Sequence, residues 1–272
     1  MLIAQITDTH IKRPGKLAYQ QVDTAAMLRA AVDRLNTLTP RPDLVIITGD
    51  LVDNGHPEEY EHLKTILAHL AIPIVLIAGN HDERQALREA FADHDYLPPH
   101  GFLNFVIEDR YPLRLIGLDT VVPFQGHGEL CAERLDWLDA QLSAQPEQPT
   151  LIAMHHPPFI SGIAHMDKVG LQSIEPFAEV VSKHPQIQAI LCGHLHRTIH
   201  TRVGGRSVVC SVSPAHQVAL DLRPEGPSAF VMEPPGYLLH HWQNNQLLSH
   251  AAVLGNFAGP FPFYTPDGRL ID

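Results

Sequence analysis

Cysteine is scarce in this chain: three in 272 residues, Cys131, Cys192 and Cys210. Three cannot all pair and none forms a C-x-x-C, so neither a disulfide framework nor a zinc knuckle is indicated and a reducing compartment fits best. Basic residues are also few. Lys plus Arg total 19 against 30 Asp plus Glu, a formal net charge of -11, which argues against nonspecific binding to nucleic acid or to an anionic membrane surface. No run approaches the roughly 20 apolar residues of a membrane helix, and 44% hydrophobic against 18% charged residues is no composition for a disordered chain. The opening Met1-Leu2-Ile3-Ala4-Gln5-Ile6 has neither the basic region nor the longer apolar region of a signal peptide; we expect a first strand, in a cytoplasmic protein. Histidine, by contrast, is abundant, at 19 as frequent as Lys and Arg together. Imidazole is the commonest side-chain metal ligand, so a bound cation is the first candidate for attracting an anion to so acidic a protein.

Short apolar runs at residues 2–6, 44–47, 74–77, 113–118, 151–154 and 187–192 read as buried strands. Between them, residues 22–38 carry Ala25, Leu28, Val32 and Leu35 at helical spacing, and residues 58–70, 132–142 and 174–181 repeat the pattern more briefly. Such alternation predicts an α/β architecture with a largely parallel sheet. After about residue 197 the segments 198–203, 207–213, 236–242 and 246–253 alternate or are β-rich, with Gly204-Gly205 as a turn, and Pro-rich pieces interrupt them. We therefore expect a core over residues 1–215 and a β-rich C-terminal extension over residues 216–272.

The segments at the strand ends carry the chemistry. They are Asp8-Thr9-His10, Gly49-Asp50, Gly79-Asn80-His81-Asp82, His155-His156 and Gly193-His194-Leu195-His196. In α/β sheets ligands bind at the carboxyl ends of strands, so these segments should converge on one crevice. Asp8, His10, Asp50, Asn80, His155, His194 and His196 supply only oxygen and nitrogen donors, too many for one tetrahedral zinc and suited to two ions that share a bridging ligand. Singly, each has an ordinary structural explanation, as a turn or packing residue. Five strand ends delivering metal-competent residues together do not.

Asp8-x-His10, Gly49-Asp50, Gly79-Asn80-His81-Asp82, His155 and Gly193-His194-x-His196 resemble, in order and spacing, the five-part signature of the calcineurin-like metallophosphoesterases. Within that superfamily the chain is most similar to bacterial cyclic-nucleotide phosphodiesterases and glycerophosphodiesterases, into the tail at His250 and Ala258-Gly259-Pro260. The resemblance implies a four-layer α/β/β/α sandwich of two mixed sheets. It also implies two divalent ions, one held by Asp8, His10, Asp50 and His196 and the other by Asp50, Asn80, His155 and His194, with Asp50 bridging. Fe(II), Mn(II), Co(II) and Zn(II) all suit such donors. The implied reaction is hydrolysis of a small phosphodiester, either a 3',5'-cyclic nucleotide or a glycerophosphodiester. His81 is expected to orient the phosphate or protonate the leaving alkoxide, with Asp82 orienting its ring. His216, Tyr19 and Arg197 are candidate substrate contacts. His156 is expected to point the other way along its strand, and His240, His241 and His250 to be core or interface residues.

Two alternatives stay open. One is a phosphomonoesterase of the same fold: the Ser/Thr protein phosphatases of this superfamily resemble one another in a Gly-Asp-x-x-Asp-Arg-Gly segment, where this chain has Gly49-Asp50-Leu51-Val52-Asp53-Asn54-Gly55, and a dianionic ester favours that guanidinium, so its absence points to a diester. A noncatalytic scaffold predicts eroded ligands, and all seven are intact. Walls that select the alcohol are expected in the loops at residues 100–104, 123–127 and 159–170. Phe257, Phe261, Phe263 and Tyr264 would leave an apolar patch on a monomer, so a homo-oligomer is expected.

Overall fold

The apolar runs become strands buried on both faces. In the computed structural model, which describes residues 1–271, the chain begins β1 (Leu2–Ile6), α1 (Thr24–Asn36), β2 (Leu44–Thr48), α2 (Pro57–Leu67), β3 (Ile74–Ile77) and α3 (Arg84–Ala90). It continues β4 (Phe105–Ile107), β5 (Arg114–Leu118), α4 (Ala132–Ala144), β6 (Thr150–Met154), α5 (Ala164–Asp167), α6 (Ile174–Ser182), β7 (Ile187–Cys192), β8 (Ile199–Val203) and β9 (Arg206–Cys210). The last part adds the short strands β10 (Gln217–Val218) and β11 (Phe230–Val231) and a hairpin of β12 (Gly236–Gln243) and β13 (Gln246–Val253).

Two large sheets result. One has the order β13-β12-β1-β2-β3, parallel at β1, β2 and β3 and antiparallel through the hairpin. The other runs β4-β5-β6-β7-β9-β8, parallel from β5 to β9 and antiparallel at both edges. Alternate residues of one strand enter different cores because successive side chains point to opposite faces. Ala4, Ile6, Val45 and Ile47 pack with Leu28, Val32, Leu35 and Leu63 of the first helices. Ile3, Leu44 and Ile46 instead meet Leu151, Ala189, Leu191 and Val209 of the second sheet. On that sheet's outer face Ile116, Ile152 and Ile190 join Leu138, Leu142, Phe177 and Val181 of α4 and α6. This is the four-layer α/β/β/α sandwich.

The expected main strands and helices are present to within a few residues, and Gly204-Gly205 turns the β8–β9 hairpin with φ of +54° and +77°. Five elements have no readable pattern, among them the two-residue strands β10 and β11. The seven residues of α3 are mostly polar and depend on Glu83, whose carboxylate accepts the N–H groups of Gln85 and Ala86 at 3.1 and 2.7 Å. The three residues of β4 and four of α5 are too few for periodicity. Most of the hairpin from the C-terminal extension lies in the first sheet, where Leu2 to Gln5 pair with His241 to Leu238.

Candidate metal centre

β1, β2 and β3 of one sheet and β6 and β7 of the other end at the same edge of the sandwich, and the motif loops there are tied together. Asp8 and His10 donate their N–H groups to the carbonyls of Gly49 and Asp50, each at 2.9 Å, and Gly193 donates to His155 at 3.0 Å. Asp8, His10, Asp50, His194 and His196 all have positive φ, between 43° and 69°. For non-glycine residues that costs roughly 1–3 kcal/mol each and is concentrated at functional sites. Gly49, Gly79 and Gly193 make room. A Cβ on Gly49 (φ +95°) would meet the His155 ring at 2.3 Å, and one on Gly193 would meet Thr7 Oγ1 at 2.0 Å.

The imidazoles are oriented by what their Nδ1 atoms touch. His155 Nδ1 lies 2.8 Å from the Thr48 carbonyl, His196 Nδ1 2.9 Å from that of His216, and His81 Nδ1 2.7 Å from that of Asp53. A carbonyl oxygen only accepts, so each Nδ1 carries the hydrogen and each Nε2 is left facing the site, as a metal ligand requires. His155 Nε2 lies 3.1 Å from Asn80 Oδ1, and His10 Nε2 lies 3.2 Å from His196 Nε2. The Nε2 atom of His194 is buried without a hydrogen-bond partner. Asp8 accepts the His194 N–H at both oxygens, at 3.1 and 3.0 Å.

Asp50 is the centre of the arrangement. Its Oδ1 accepts the His81 N–H at 2.9 Å, while Oδ2 lies 3.4 Å from His155 Nε2 and 3.7 Å from His10 Nε2. One carboxylate oxygen thus sits between the two sets of donors. Ligand atoms of Asp8, His10 and Asp50 lie within 4.8 Å of one another. Electrostatics agree with a cation site. Burial would raise the Asp8 carboxyl, but His196 and His155 overcome it and hold it down at about 2. Burial would likewise lower His155, yet Asp50 and Asp8 lift it to about 9. The carboxylates thus draw positive charge, a proton on His155 or a cation in its place, into a buried site, and an N/O donor set with Nε2 atoms turned inward fits divalent ions.

A cavity of about 490 Å³ opens over these groups, lined by His10, Asp50, Asn80, His81, His194 and His196 on the metal side and by Tyr19, His216 and Phe230 on the wall. Tyr19 and Phe230 stack at 4.9 Å, and the His216 ring stands edge-on to Tyr19 at 5.2 Å. Burial, with His196 and His10 alongside, drives His216 down to about 3. Gly126, His165, Met166 and Val169 supply the opposite wall from two of the three expected loops, whereas residues 100–104 take no part.

Two expectations need correction. Asp82 does not orient His81: its carboxylate accepts the N–H groups of Gly79, Leu51 and Val52 at 2.8, 3.1 and 3.3 Å and the Tyr60 hydroxyl at 3.0 Å. It stitches the β2 and β3 loops together, and the Asp53 carbonyl holds the His81 ring instead. Arg197 does not line the cavity; its guanidinium binds Glu233 at 2.9 Å and the Val218 carbonyl at 2.6 Å. His156 is committed to Thr120 Oγ1 at 2.8 Å and the Gly126 carbonyl at 3.1 Å, so it supports a pocket loop. Asp53 is a site residue that the motifs alone do not single out. Its carboxylate lies 3.2 Å from His10 Nδ1 and also contacts Lys12; its place three residues after Asp50 is the available signal.

The family model for calcineurin-like phosphoesterases matches residues 1–198, which include all seven candidate ligands. The chain belongs to the calcineurin-like phosphoesterase family. Along its full length it is 44% identical to a protein of Arcobacter nitrofigilis named "Probable glycerophosphodiester phosphodiesterase GpdQ", covering 100% of both chains. It is 32% identical to the "Glycerophosphodiester phosphodiesterase GpdQ" of Enterobacter lignolyticus, over 96% of this chain and 94% of that one. A "Probable cyclic nucleotide phosphodiesterase" of a Synechococcus species is 34% identical over 86% of this chain and 88% of its own. Among solved structures, a dimetal phosphatase from Danio rerio superposes with a TM-score of 0.67 at 15% identity, over 93% of this chain and 98% of that one, a likeness of fold.

Proposed function

We propose that this chain hydrolyses small phosphodiesters, glycerophosphodiesters foremost and 3',5'-cyclic nucleotides second, at two divalent ions. The observation that carries the reading is Asp50 Oδ2 lying between His10 Nε2 and His155 Nε2. Asp8, His10, Asp50 and His196 would hold one ion and Asp50, Asn80, His155 and His194 the other. When bound, such a pair supplies Lewis acidity toward phosphoryl oxygens and lowers the pKa of an attacking water. Fe(II), Mn(II), Co(II) and Zn(II) all match the donors.

The chain's own residues do the rest. His81, anchored through Nδ1, presents Nε2 to the cavity, where it can bind a phosphoryl oxygen or, when protonated, give its proton to the departing alkoxide. His216 and the Tyr19–Phe230 pair form a wall that positions one alcohol arm. No Arg or Lys lines the cavity among the described residues. A monoanionic diester therefore fits better than a dianionic monoester, which calls for a guanidinium or ammonium clamp. Both relatives with a glycerophosphodiesterase name align over nearly their whole length, which favours glycerophosphodiesters over cyclic nucleotides.

The finer biological setting is part of the same proposal. Among the described residues no helix is long and apolar enough to cross a membrane, and the three cysteines are free thiols, which is compatible with the reducing cytoplasm we propose. Residues 216–272 have two roles: Val218, Ser228, Ala229 and Phe230 line the cavity, and the apolar tail forms a homo-oligomer. Phe257, Phe261 and Phe263 are 69%, 74% and 79% exposed, and β13 is an edge strand.

The test is turnover of bis(p-nitrophenyl) phosphate against p-nitrophenyl phosphate by metal-stripped protein reconstituted with Mn(II), followed by glycerophosphoethanolamine against cyclic AMP. Diester preference that collapses in Asn80→Ala supports the proposal; monoester preference, or no turnover with metal bound, refutes it.

A further inference from the structure

His156 follows a candidate ligand in the chain, and its ring stands 4.6 Å from that of His194, yet both of its nitrogens are spent on one loop. Nε2 lies 3.1 Å from the Gly126 carbonyl. A carbonyl only accepts, so Nε2 carries the hydrogen. Nδ1 then accepts the Thr120 hydroxyl at 2.8 Å, and the Thr120 oxygen receives the His156 backbone N–H at 3.4 Å. The ring is fully buried and takes no part in lining the main cavity, whereas Gly126 does line it. His156 therefore stands behind the wall and braces it from the protein side. The chain crosses the ring in contact, since a Cβ on Gly128 would meet His156 Cγ at 2.4 Å.

The braced loop carries the rest of that wall. Gly128 donates its N–H to Gly170 at 3.2 Å and accepts that of Gln172 at 2.9 Å, and a Cβ on Gly126 would meet Val169 Cγ1 at 3.3 Å. Gly126, His165, Met166 and Val169 thus form one piece, facing Tyr19, His216 and Phe230 across the cavity. Its apex has little else to hold it. The Phe124 ring is 99% exposed. Among the described residues, the His156 contact is the one hydrogen bond from residues 122–127 to anything outside that segment. A segment with few packed contacts and one tie moves when the tie is cut.

We propose that His156 is the positioning residue that sets which alcohol arm the cavity accepts, by holding the Gly126–Val169 wall at a fixed distance from the Tyr19–Phe230 wall. The space the ring fills lies behind Gly126, so a wall without its brace retreats into that space and the cavity widens. A small polyol arm then loses contacts, and a bulky aryl arm gains room. The assignment rests on the phosphodiesterase reading and names the residue through which that site selects its substrate.

The experiment follows the ratio of kcat/KM for glycerophosphoethanolamine to that for bis(p-nitrophenyl) phosphate in Mn(II)-loaded protein, with bound metal counted. His156→Ala is expected to lower the ratio about tenfold, the scale of one buried hydrogen bond, chiefly through KM for glycerophosphoethanolamine and with the metal content of the wild type. Thr120→Val keeps the shape of its side chain but removes the hydroxyl that fixes the ring, and should lower the ratio less. His156→Gln, whose amide N–H can reach the Gly126 carbonyl, should restore most of it. Calorimetry adds a readout without turnover: His156→Ala should weaken glycerol 3-phosphate and leave inorganic phosphate unchanged. An unmoved ratio in His156→Ala, or an equal fall in kcat for both substrates, overturns the assignment and leaves the diesterase intact. Should His156→Ala lose metal, Thr120→Val decides, and an unmoved ratio there overturns it. A wild type that turns over neither diester overturns the phosphodiesterase reading and this one with it.

Discussion

The Nε2 atoms of His10 and His196 stand 3.2 Å apart although 186 residues separate them. His196 carries its hydrogen on Nδ1, toward the His216 carbonyl, and His10 Nδ1 faces the Asp53 carboxylate. Two inward lone pairs at this distance repel unless a proton or a cation lies between them. A divalent ion at the proposed site would resolve the conflict and stabilise the fold that holds it.

Metal loading should therefore raise thermal stability. One ion at a hundredfold excess over its Kd adds about 2.7 kcal/mol, visible as a Tm several degrees higher by scanning calorimetry and reversed by a chelator. His196→Ala should lower the bound metal by about one equivalent per chain, measured by plasma emission. A Tm indifferent to metal would contradict the site.

Asp82→Ala should destabilise the protein more than Tyr60→Phe. Removing the carboxylate strands the amides of Leu51, Val52 and Gly79, each unsatisfied buried donor costing roughly 1–3 kcal/mol. Tyr60→Phe loses the hydroxyl that Asp82 accepts and the acceptor of the Glu83 N–H. Urea midpoints rank the two; equal midpoints would show that Asp82 is no stitch.

Most of the candidate metal centre is legible in the sequence because its proposed ligands come after strands at recurrent positions, and buried strands announce themselves as apolar runs. Asp82 misleads because it neighbours His81 in the chain, whereas the backbone turn sends its carboxylate toward Tyr60 and the β2 loop. Arg197 misleads for a like reason: adjacency to His196 says nothing of Glu233, 36 positions later. The loops that wall the cavity have no periodicity, so only folding separates the two that border it from residues 100–104. The place of the C-terminal hairpin beside β1 depends on long-range pairing, which no local pattern specifies.

Acid should weaken the wild type partly through His240. This ring is buried between Gln5 Oε1 at 3.0 Å and Ser249 Oγ at 2.7 Å, and burial, with His200 adding to it, drives its pKa from 6.5 down to about 3. The folded state keeps it neutral while the unfolded chain takes up a proton below 6.5. Its contribution is complete above pH 6.5 and is lost as the pH falls toward 3, at up to about 1.4 kcal/mol per unit. His240→Gln should flatten the decline of stability between pH 6.5 and 5; an unchanged slope would assign the acid sensitivity elsewhere.

The exposed tail should hold copies of the chain together. Phe261→Ser combined with Phe263→Ser removes two of its most exposed rings and is expected to lower the mass seen by light scattering. A monomeric wild type, or an unchanged oligomer in the double variant, would remove the tail from that role.

The most direct test of a two-ion phosphodiesterase is hydrolysis of bis(p-nitrophenyl) phosphate measured while Mn(II) is titrated into metal-free protein and the bound ion is counted per chain. Turnover that stays low through the first equivalent and rises as the second binds is the predicted result. Full turnover at one equivalent, or none at two, would contradict it.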